Sequence, residues 1–431
     1  METVGIIGGG LAGLSVAALL AQQGKRVQLY DTGLLGGRAT SQVIKGFTFN
    51  YGAHAVYARD QSMLRTIIKQ LKLDITWLDF SSAKAKYEFA GHLTAAPANA
   101  IGLLKTEVIG GTDKLRFTWE VVKTVLHLEQ GDPALSIGQW LTEQKVEADV
   151  ARLMLDLASS NFFTAEPENI PSDVYFNYYK KLFRTRKPVS YIAGGWQVLI
   201  NELERVIMLH DGTIHRKTKI TAIEESDDGY RLRDRKKAEW TVDRIVLAIP
   251  PREMRKLALP TPIQLFIEPY AQYEPVEVLV YDVGVHPYIK TPFSYVYDRT
   301  HQLFVTDLSH YDPSIAPKNG QVLQVVAYLV HDRVGDPDYL SSKVQQIHRL
   351  LDQHYAGWRE QLVTERTMKR AIVQEIKWKM GQAALPCFMD EECEEKVAFV
   401  GDWCEGEGQL SELSFSSAYT VAEAWQQKNA H

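Results

Sequence analysis

The sequence predicts an α/β fold, in which a Rossmann-like dinucleotide-binding domain is interleaved with a mixed α+β substrate domain. Three observations support this prediction: a glycine-rich loop after an apolar run at the N-terminus, strand-like stretches in the middle, and a late apolar strand followed by a helical pattern. A chain of 431 residues has room for two domains. We expect residues 1–57, 188–251 and 396–431 to form the nucleotide-binding domain, and residues 58–187 and 252–395 the substrate domain.

The first element is an apolar strand over about residues 3–7, and the loop Gly8-Gly9-Gly10-Leu11-Ala12-Gly13 follows it as G-x-G-x-x-G. Gly8 permits the tight turn, Gly10 lets the backbone approach a pyrophosphate, and Gly13 lets the helix pack closely on the strand. The helix predicted from about Leu11 to Gln23 directs free N–H groups at the phosphates. The loop therefore predicts an adenine dinucleotide site.

The second strand, over about residues 26–30, leads to Asp31. A carboxylate at the end of this strand can accept hydrogen bonds from a ribose hydroxyl. Strand, glycine turn, helix, strand and acid make one β–α–β unit, which is the context that gives the glycine motif its specificity.

The segment 58–187 has apolar residues at helical spacing. Its aromatic residues either line a lipophilic pocket or form the core of a helical subdomain. They are Phe162, Phe163, Tyr175, Phe176, Tyr178, Tyr179 and Phe183.

Strand patterns return after Gly194-Gly195 and the helical run that follows it. We predict strands over 218–224, 230–233 and 244–249. Four further runs predict an antiparallel sheet: 276–283, 293–297, 303–307 and 321–330. The last elements are a helix over 339–354, a strand over 371–376, a strand over 397–400 and a helix over 415–427.

Composition excludes several classes of protein. The net charge of −5 argues against a nucleic-acid partner, and the basic run at 231–237 is interpreted as a solvated hairpin turn. Three cysteines predict no disulfide framework and a reducing compartment, and their spacing matches no common zinc pattern, so we expect no metal. No run of about 18 apolar residues occurs. A cytoplasmic location is expected, and peripheral membrane contact stays open.

The glycine loop and its downstream acid serve NAD and FAD alike. Two further features favour a flavin. Gly36-Gly37-Arg38 offers close backbone approach and a guanidinium for a phosphate, and Gly401-Asp402 places a carboxylate where it can reach a ribityl chain.

With these motifs the chain resembles the FAD-dependent family that includes flavin amine oxidases, phytoene desaturases and protoporphyrinogen oxidase. Residues 4–57 carry its N-terminal pattern, which ends in the turn Asn50-Tyr51-Gly52-Ala53-His54. Residues 191–250 resemble its middle block, and residues 396–425 its closing block. FAD is the cofactor that this resemblance implies.

The resemblance also implies which residues bind FAD. The pyrophosphate contacts are Gly8, Gly10, Leu11, Ala12, Gly13, Gly37 and Arg38. Asp31 would hold the ribose, with Thr32 beside it, and the backbone of Ile220 the adenine. Gly52, Ala53 and His54 would lie beside the flavin ring. Gly401 and Asp402 would hold the ribityl chain, and Ser414 and Phe415 would open the helix that faces the N1/O2 edge of the flavin.

Departures from the family pattern bear on the substrate. Asp31 stands where glutamate is usual and Asn50 where aspartate is usual, and the run Pro275–Tyr281 lacks the lysine that amine oxidases commonly carry near the flavin. No pair of aromatic residues that could flank a substrate amine is evident near the C-terminus. These departures disfavour amine oxidation.

We therefore expect dehydrogenation or desaturation of a small, apolar substrate by hydride transfer to the flavin. The alternatives are a flavin amine oxidase, a non-redox FAD-dependent isomerase and an NAD-binding protein without flavin. No catalytic residue is assigned, since His54 is either a proton relay or a packing residue. The electron acceptor and the oligomeric state stay open.

Overall fold

The computed structural model describes residues 1–52, 54–389 and 396–427. The elements up to residue 95 are β1 (Thr3–Ile7), α1 (Leu11–Gln22), β2 (Arg26–Tyr30), β3 (Ser41–Ile44), β4 (Phe47–Asn50), β5 (Val56–Tyr57), α2 (Met63–Leu71), β6 (Trp77–Asp79), β7 (Ala85–Phe89) and β8 (His92–Ala95). A helical stretch follows, with α3 (Ala100–Lys105), α4 (Gly111–Val125), α5 (Ile137–Glu143), α6 (Ala148–Phe162) and α7 (Ser172–Arg184).

The chain then returns to mixed structure with β9 (Val189–Ile192), α8 (Trp196–Leu209), β10 (Thr213–His215), β11 (Ile220–Ser226), β12 (Gly229–Asp234), β13 (Glu239–Val242) and β14 (Arg244–Leu247). The remaining elements are α9 (Pro251–Met254), α10 (Thr261–Ile267), β15 (Val276–Val285), β16 (Tyr295–Asp298), β17 (Leu303–Asp307), β18 (Gln321–Tyr328), α11 (Pro337–His354), β19 (Leu362–Gln374), β20 (Val397–Phe399) and α12 (Ser411–Gln427).

A five-stranded parallel sheet joins distant parts of the chain, in the order β10-β2-β1-β14-β20. The central strand β1 pairs with β2 on one side and with β14 on the other. Its residues are almost entirely apolar and buried, as expected for a strand covered on both faces. Helix α1 packs against α8 and α12, so the C-terminal helix lies beside the N-terminal one. The predicted domain bounds stay a prediction.

A seven-stranded sheet has the order β19-β15-β18-β17-β16-β7-β8. Its central strands are antiparallel, as predicted, and β7 joins β16 in parallel. Alternate residues of β15 face opposite sides, because side chains alternate along a strand. Val278 and Val280 pack with the helical region that contains Leu153, whereas Leu279 and Val283 pack against α11.

Two predicted element starts differ from the structure by four residues or more. The last helix begins at Ser411 instead of Phe415, directly after Leu410, whose φ of +57° ends the preceding loop. Strand β19 begins at Leu362 instead of residue 371. It is an edge strand with many half-exposed and exposed residues, so its first half lacks an apolar pattern. The predicted turn at 231–237 holds only for residues 235–237, which are exposed between β12 and β13; residues 231–234 belong to β12, where Leu232 and Asp234 are buried.

None of the helices among the described residues has the length and apolar character needed to cross a bilayer.

Candidate functional site

The conformation of the loop between β1 and α1 requires glycine, which has no side chain, at particular positions. Gly8 has a φ of +112°, a backbone conformation that favours glycine. A Cβ on Gly13 would lie 1.9 Å from the carbonyl oxygen of Gly8, so only glycine allows this contact between helix and strand. A Cβ on Gly10 would meet no atom within 4 Å. The backbone at Gly10 therefore borders open space where the helix begins.

The turn that carries Arg38 lies against this loop. Gly36 has a φ of +99°, and its N–H donates to the carbonyl of Gly9 at 2.7 Å. Gly37 has a φ of +56°, and a Cβ on it would approach the Cα of Gly10 to 3.4 Å. The two glycine turns thus form one continuous backbone surface at the carboxyl end of the parallel sheet.

Asp31 is oriented by the backbone on both sides of it. One carboxylate oxygen accepts the N–H of Gly9 and the other the N–H of Gly33, each at 2.7 Å. These bonds fix the carboxylate at the end of β2 and leave it further acceptor capacity, because each oxygen offers two lone pairs. A cavity of about 220 Å³ continues from this point and is bordered by Asp31, Thr32 and Ile220.

A larger cavity of about 780 Å³ runs from the glycine loop towards the C-terminal helix. It brings together most of the residues that the sequence predicts as cofactor contacts. Those on its wall are Gly8, Gly10, Leu11, Ala12, Asp31, Gly37, Arg38, Gly52, Gly401, Asp402 and Ser414.

Of the other predicted residues, Thr32 and Ile220 border the smaller cavity, and two lie away from both of these cavities. Gly13 faces the backbone of Gly8 and not the cavity. The expectation that Phe415 opens the last helix at the site is wrong, because the helix starts four residues earlier and Phe415 is fully buried, with its ring 6.4 Å from that of Trp196. Ala53 lies outside the described residues.

Charged side chains in the large cavity form a network. Nη2 of Arg38 donates to Oδ1 of Asp402 at 2.6 Å, and Nη2 of Arg252 lies 3.1 Å from Oε2 of Glu375. The backbone N–H of Glu375 donates to the other oxygen of Asp402 at 3.2 Å. Burial lowers the pKa of Arg38, but the carboxylates of Asp402 and Glu375 outweigh it and raise that pKa. Burial also raises the pKa of Glu375.

Sequence reasoning missed Arg252 and Glu375. Arg252 follows the apolar strand β14 and Pro250-Pro251, so its place at the carboxyl end of a parallel strand next to β1 was a usable signal. Glu375 follows β19, whose pairing with β15 could not be derived from local pattern.

A cavity of about 170 Å³, enclosed between α6 and the seven-stranded sheet, lies next to the large one. The two share Gly52, Ala55 and Val373 as wall residues. Among the described residues that line the enclosed cavity, none is aspartate, glutamate, lysine or arginine. Its aromatic lining consists of Tyr57, Phe80, Tyr87, Phe163, Tyr191, Tyr295 and Phe304, and its other polar lining of His54, Ser160, Asn161, Thr306 and Gln324.

The aromatic residues predicted in segment 58–187 have two kinds of position in the structure. Phe163 is on the wall. Phe162, Tyr175, Phe176, Tyr178 and Tyr179 are buried in the core formed by the helices and one face of the seven-stranded sheet. The run is therefore mainly core, with one residue at the cavity.

His54 lines the enclosed cavity and precedes Ala55, one of the wall residues that the two cavities share. Its ring stacks on Tyr191, with the centroids 5.2 Å apart. Burial lowers its pKa to about 4, and the carbonyl of Gly52 and the carboxylate of Asp312 only partly offset this effect. Nδ1 is buried without a hydrogen-bond partner among the described residues. The imidazole is thus neutral at pH 7 and offers an unused nitrogen.

The fold recurs in solved structures of low sequence identity. An oxidoreductase from Methanosarcina mazei is 17% identical with a TM-score of 0.78, and the match covers 98% of this chain and 100% of that one. A candidate protoporphyrinogen oxidase from Exiguobacterium sp. 255-15 is 17% identical (TM-score 0.70; 99% of each chain). Cyclohexylamine oxidase from Brevibacterium oxydans IH-35A is 15% identical (TM-score 0.73; 100% of each chain).

A comparison with curated protein sequences gives no significant match. The sequence model of the flavin-containing amine oxidoreductases matches residues 11–281, which is more than half of the chain and includes the start of α1, the Arg38 turn and the middle block. The chain therefore belongs to the flavin-containing amine oxidoreductase family and is a flavin oxidoreductase.

Proposed function

We propose that this enzyme binds FAD along the two cavities that border Asp31 and oxidises an uncharged, largely apolar small molecule in the enclosed one. The observation that carries the proposal is the shared wall of Gly52, Ala55 and Val373. It joins a long cavity that begins at a glycine loop to a small cavity without charged lining. The five-stranded sheet with its glycine loop then serves as a Rossmann-like FAD-binding domain.

The residues of the two cavities that border Asp31 fit a dinucleotide. The space beside Gly10 would be filled by a Cβ, so the glycine leaves room for a phosphate at the positive end of the α1 dipole. Backbone N–H groups of Leu11 and Ala12 lie in the first turn of that helix. In this arrangement Gly13 contributes through packing alone, since it faces Gly8.

Arg38 supplies charge for the pyrophosphate. Its guanidinium has five N–H donors, and its bond to Asp402 uses one of them, so donors remain for phosphate oxygens. Asp402 both orients Arg38 and offers its carboxylate to ribityl hydroxyls. Asp31 would accept the ribose hydroxyl, and Thr32 and Ile220 would border the adenosine end.

The flavin ring would lie between Gly52 and the start of α12. Ser411 and Ser414 are on that wall, in the first turn of the helix. The positive end of the α12 dipole then favours negative charge on the ring. When bound, the flavin supplies the chemistry by accepting a hydride from the substrate.

The substrate class follows from the lining of the enclosed cavity. A charge buried without a partner is strongly disfavoured, and this cavity offers neither a carboxylate for an ammonium nor a cation for a carboxylate. Neutral His54 and the amide of Gln324 are hydrogen-bonding groups that can orient an uncharged polar substituent.

The test begins with the absorption spectrum of the purified protein. A bound flavin gives a yellow protein with a band near ~450 nm, whereas an NAD-binding protein is colourless. Candidate substrates are then added without oxygen, as neutral cyclic compounds and their carboxylate or ammonium analogues. We expect the neutral compounds to bleach the flavin and the charged analogues to leave it oxidised. Turnover without bleaching would instead indicate an isomerase.

Amine oxidation is the second candidate. Two observations favour it: the similarity to cyclohexylamine oxidase, and a tyrosine-rich cavity large enough to hold a six-membered ring. The residues of β15 disfavour it. Val278 and Val280 face the cavity, and β15 contains no lysine, which amine oxidases of this family commonly carry near the flavin. Faster bleaching by cyclohexylamine than by neutral rings, increasing with pH as the amine loses its proton, would replace the first proposal by this one.

A further inference from the structure

A row of polar side chains crosses the seven-stranded sheet beside the enclosed cavity. Asp282 of β15 lies opposite Arg366 of β19 on one side and opposite Gln324 of β18 on the other. Gln324 in turn lies opposite Thr306 of β17, and Thr306 lies opposite Tyr295 of β16. Residues opposite each other on neighbouring strands share one face of a sheet. The side chains therefore form one polar row, and Gln324, Thr306 and Tyr295 line the cavity.

The neighbouring row on the same face is apolar. It contains Val280 of β15, Val326 of β18 and Phe304 of β17, which pair in register and also line the cavity. In the polar row, Gln324 is 5% and Thr306 4% exposed, so both are removed from bulk water. Because buried polar groups are normally hydrogen-bonded, the partners of these two residues indicate what the cavity can take.

The ion pair at one end of the row determines what Asp282 can do. Nε of Arg366 donates to Oδ2 of Asp282 at 3.0 Å, and Nη2 of Arg366 donates to the same oxygen. Burial raises the pKa of Asp282, and the guanidinium of Arg366 opposes that rise by stabilising the carboxylate. An ionised carboxylate carries no proton, so Asp282 only accepts hydrogen bonds.

This carboxylate holds the amide of Gln324 in one orientation. Nε2 of Gln324 donates to Oδ1 of Asp282 at 2.9 Å, and the flipped amide would place Oε1 there, so that two acceptors would meet. None of the described residues donates to Oε1 of Gln324. Oε1 is also not fully buried, so it retains contact with open space, and the space that Gln324 borders is the enclosed cavity. The amide thus presents an acceptor to the substrate.

The hydroxyl of Thr306 lies beside this acceptor. It has no hydrogen-bond partner among the described residues and is not fully buried either. A hydroxyl both donates and accepts. A substrate hydroxyl that donates to Oε1 of Gln324 can therefore accept from Thr306, whereas a substrate carbonyl would find a donor in Thr306 and a second acceptor in Gln324.

We propose that Gln324 selects the substrate by accepting a hydrogen bond through Oε1, so that the molecule oxidised in the enclosed cavity is a neutral, largely apolar compound that carries a hydroxyl group. This inference rests on the proposed function, which places the substrate in that cavity. Gln324 is the residue that determines specificity, and Asp282 and Arg366 position it. A ligand without a donor leaves Oε1 unpaired, and an unpaired buried acceptor weakens binding.

The test compares three rings of equal size that differ in one group: cyclohexanol, cyclohexanone and methylcyclohexane. Their binding to the holoenzyme is measured by calorimetry, and the flavin band recorded before and after each titration shows whether a ring is also oxidised. We expect the wild type to bind cyclohexanol at least about ten-fold more tightly than cyclohexanone. Gln324→Leu removes the acceptor at similar volume, so this preference should fall below about two-fold while methylcyclohexane still binds.

Two further variants separate the amide from its surroundings. Val326→Ala is the matched control, because Val326 lines the cavity in the neighbouring apolar row, and it should weaken all three rings alike and keep the preference. The double variant Arg366→Ala, Asp282→Asn retains Gln324 but not its fixed orientation, since an asparagine donates as well as accepts. Its preference for cyclohexanol should fall below about three-fold.

Equal or tighter binding of cyclohexanone by the wild type, or an unchanged preference in Gln324→Leu, would overturn the proposal. A wild type that binds none of the three rings would refute the enclosed cavity as the substrate site, and the proposed function with it. Binding requires no turnover, however. A protein that prefers cyclohexanol, but whose flavin no neutral compound bleaches, would support the selection by Gln324 and refute the proposed oxidation.

Discussion

The guanidinium of Arg38 donates to the carboxylate of Asp402 at 2.6 Å across 364 positions of the sequence. Arg38 belongs to the turn after β2, and Asp402 follows the last strand of the same sheet. The ion pair thus connects the two ends of the chain at the wall of the proposed FAD site. In the proposed site, Arg38 would supply charge for the phosphates and Asp402 would accept the sugar hydroxyls.

We predict that Arg38→Ala and Asp402→Ala each lower the affinity for FAD by about ten-fold or more, because each removes a charged hydrogen-bonding group. The double variant should lose less than the sum of the two effects, since the residues are paired. Titration of deflavinated protein with FAD measures this. Arg233→Ala, which removes an exposed ion pair with Glu224, is the control. Full flavin occupancy in both single variants would refute the site.

The glycine loop gives a pair of variants that separates packing from binding. Gly13→Ala should destabilise the fold by about 2–4 kcal/mol, because its Cβ would collide with the backbone of Gly8. Gly10→Ala meets open space, so the deflavinated protein should keep its free energy of unfolding and yet lose affinity for FAD. Urea unfolding and FAD titration distinguish the two. Equal stability losses would contradict the packing argument.

The lowered pKa of His54 predicts that the free energy of unfolding depends on pH. Its pKa is about 4 in the folded protein and about 6.5 when unfolded, so the unfolded chain binds the proton more tightly between these values. Above pH 6.5 the neutral ring of His54 makes its full contribution to the free energy of unfolding. That free energy falls by up to about 3 kcal/mol as the pH falls towards 4. Urea unfolding of wild type and His54→Gln between these pH values checks this. Parallel curves for the two proteins would show that His54 is not buried as a neutral ring.

The buried pair of Asp282 and Arg366 connects stability to the substrate cavity. Arg366 donates to Asp282 and, at 2.6 Å, to the carbonyl of Asn50, and Gln324 on the cavity wall donates to Asp282 at 2.9 Å. Arg366→Ala leaves the carboxylate of Asp282 buried without its cation and should cost about 3–5 kcal/mol. It should also raise KM, because Asp282, which accepts the amide of Gln324, loses the guanidinium that fixes its position.

Adding Asp282→Asn to Arg366→Ala should restore at least half of that stability, since the uncompensated charge is removed. Thermal and urea unfolding of the single and double variants measure the recovery. A double variant no more stable than Arg366→Ala would show that the loss comes from the missing contact with Asn50.

The sequence was sufficient for the parts of the site that depend on local chemistry. The roles expected of Gly8 and Gly13 follow from steric rules that apply within a few residues, and the parallel order of β2, β1 and β14 places Asp31 next to the loop. FAD contacts at these residues stay predictions.

The substrate side was much less predictable. The enclosed cavity combines residues from the helical segment, such as Phe163, with residues from β15 and β18, such as Val280 and Gln324. Their proximity depends on the register of a sheet in which β7 joins β16 in parallel, and no local pattern specifies that pairing. The start of α12 was misplaced because Leu410 adopts a positive φ that its residue type does not signal.

The pairing of β20 with β14 has a consequence for synthesis on the ribosome. The first strand, the glycine loop and the Asp31 turn emerge early, but their sheet and the Arg38 pair are complete only after residue 402 has left the exit tunnel. Contacts between such distant residues form slowly, and until then the N-terminal unit exposes apolar strand edges. We expect nascent chains that end before β20 to be captured by chaperones and unable to retain flavin.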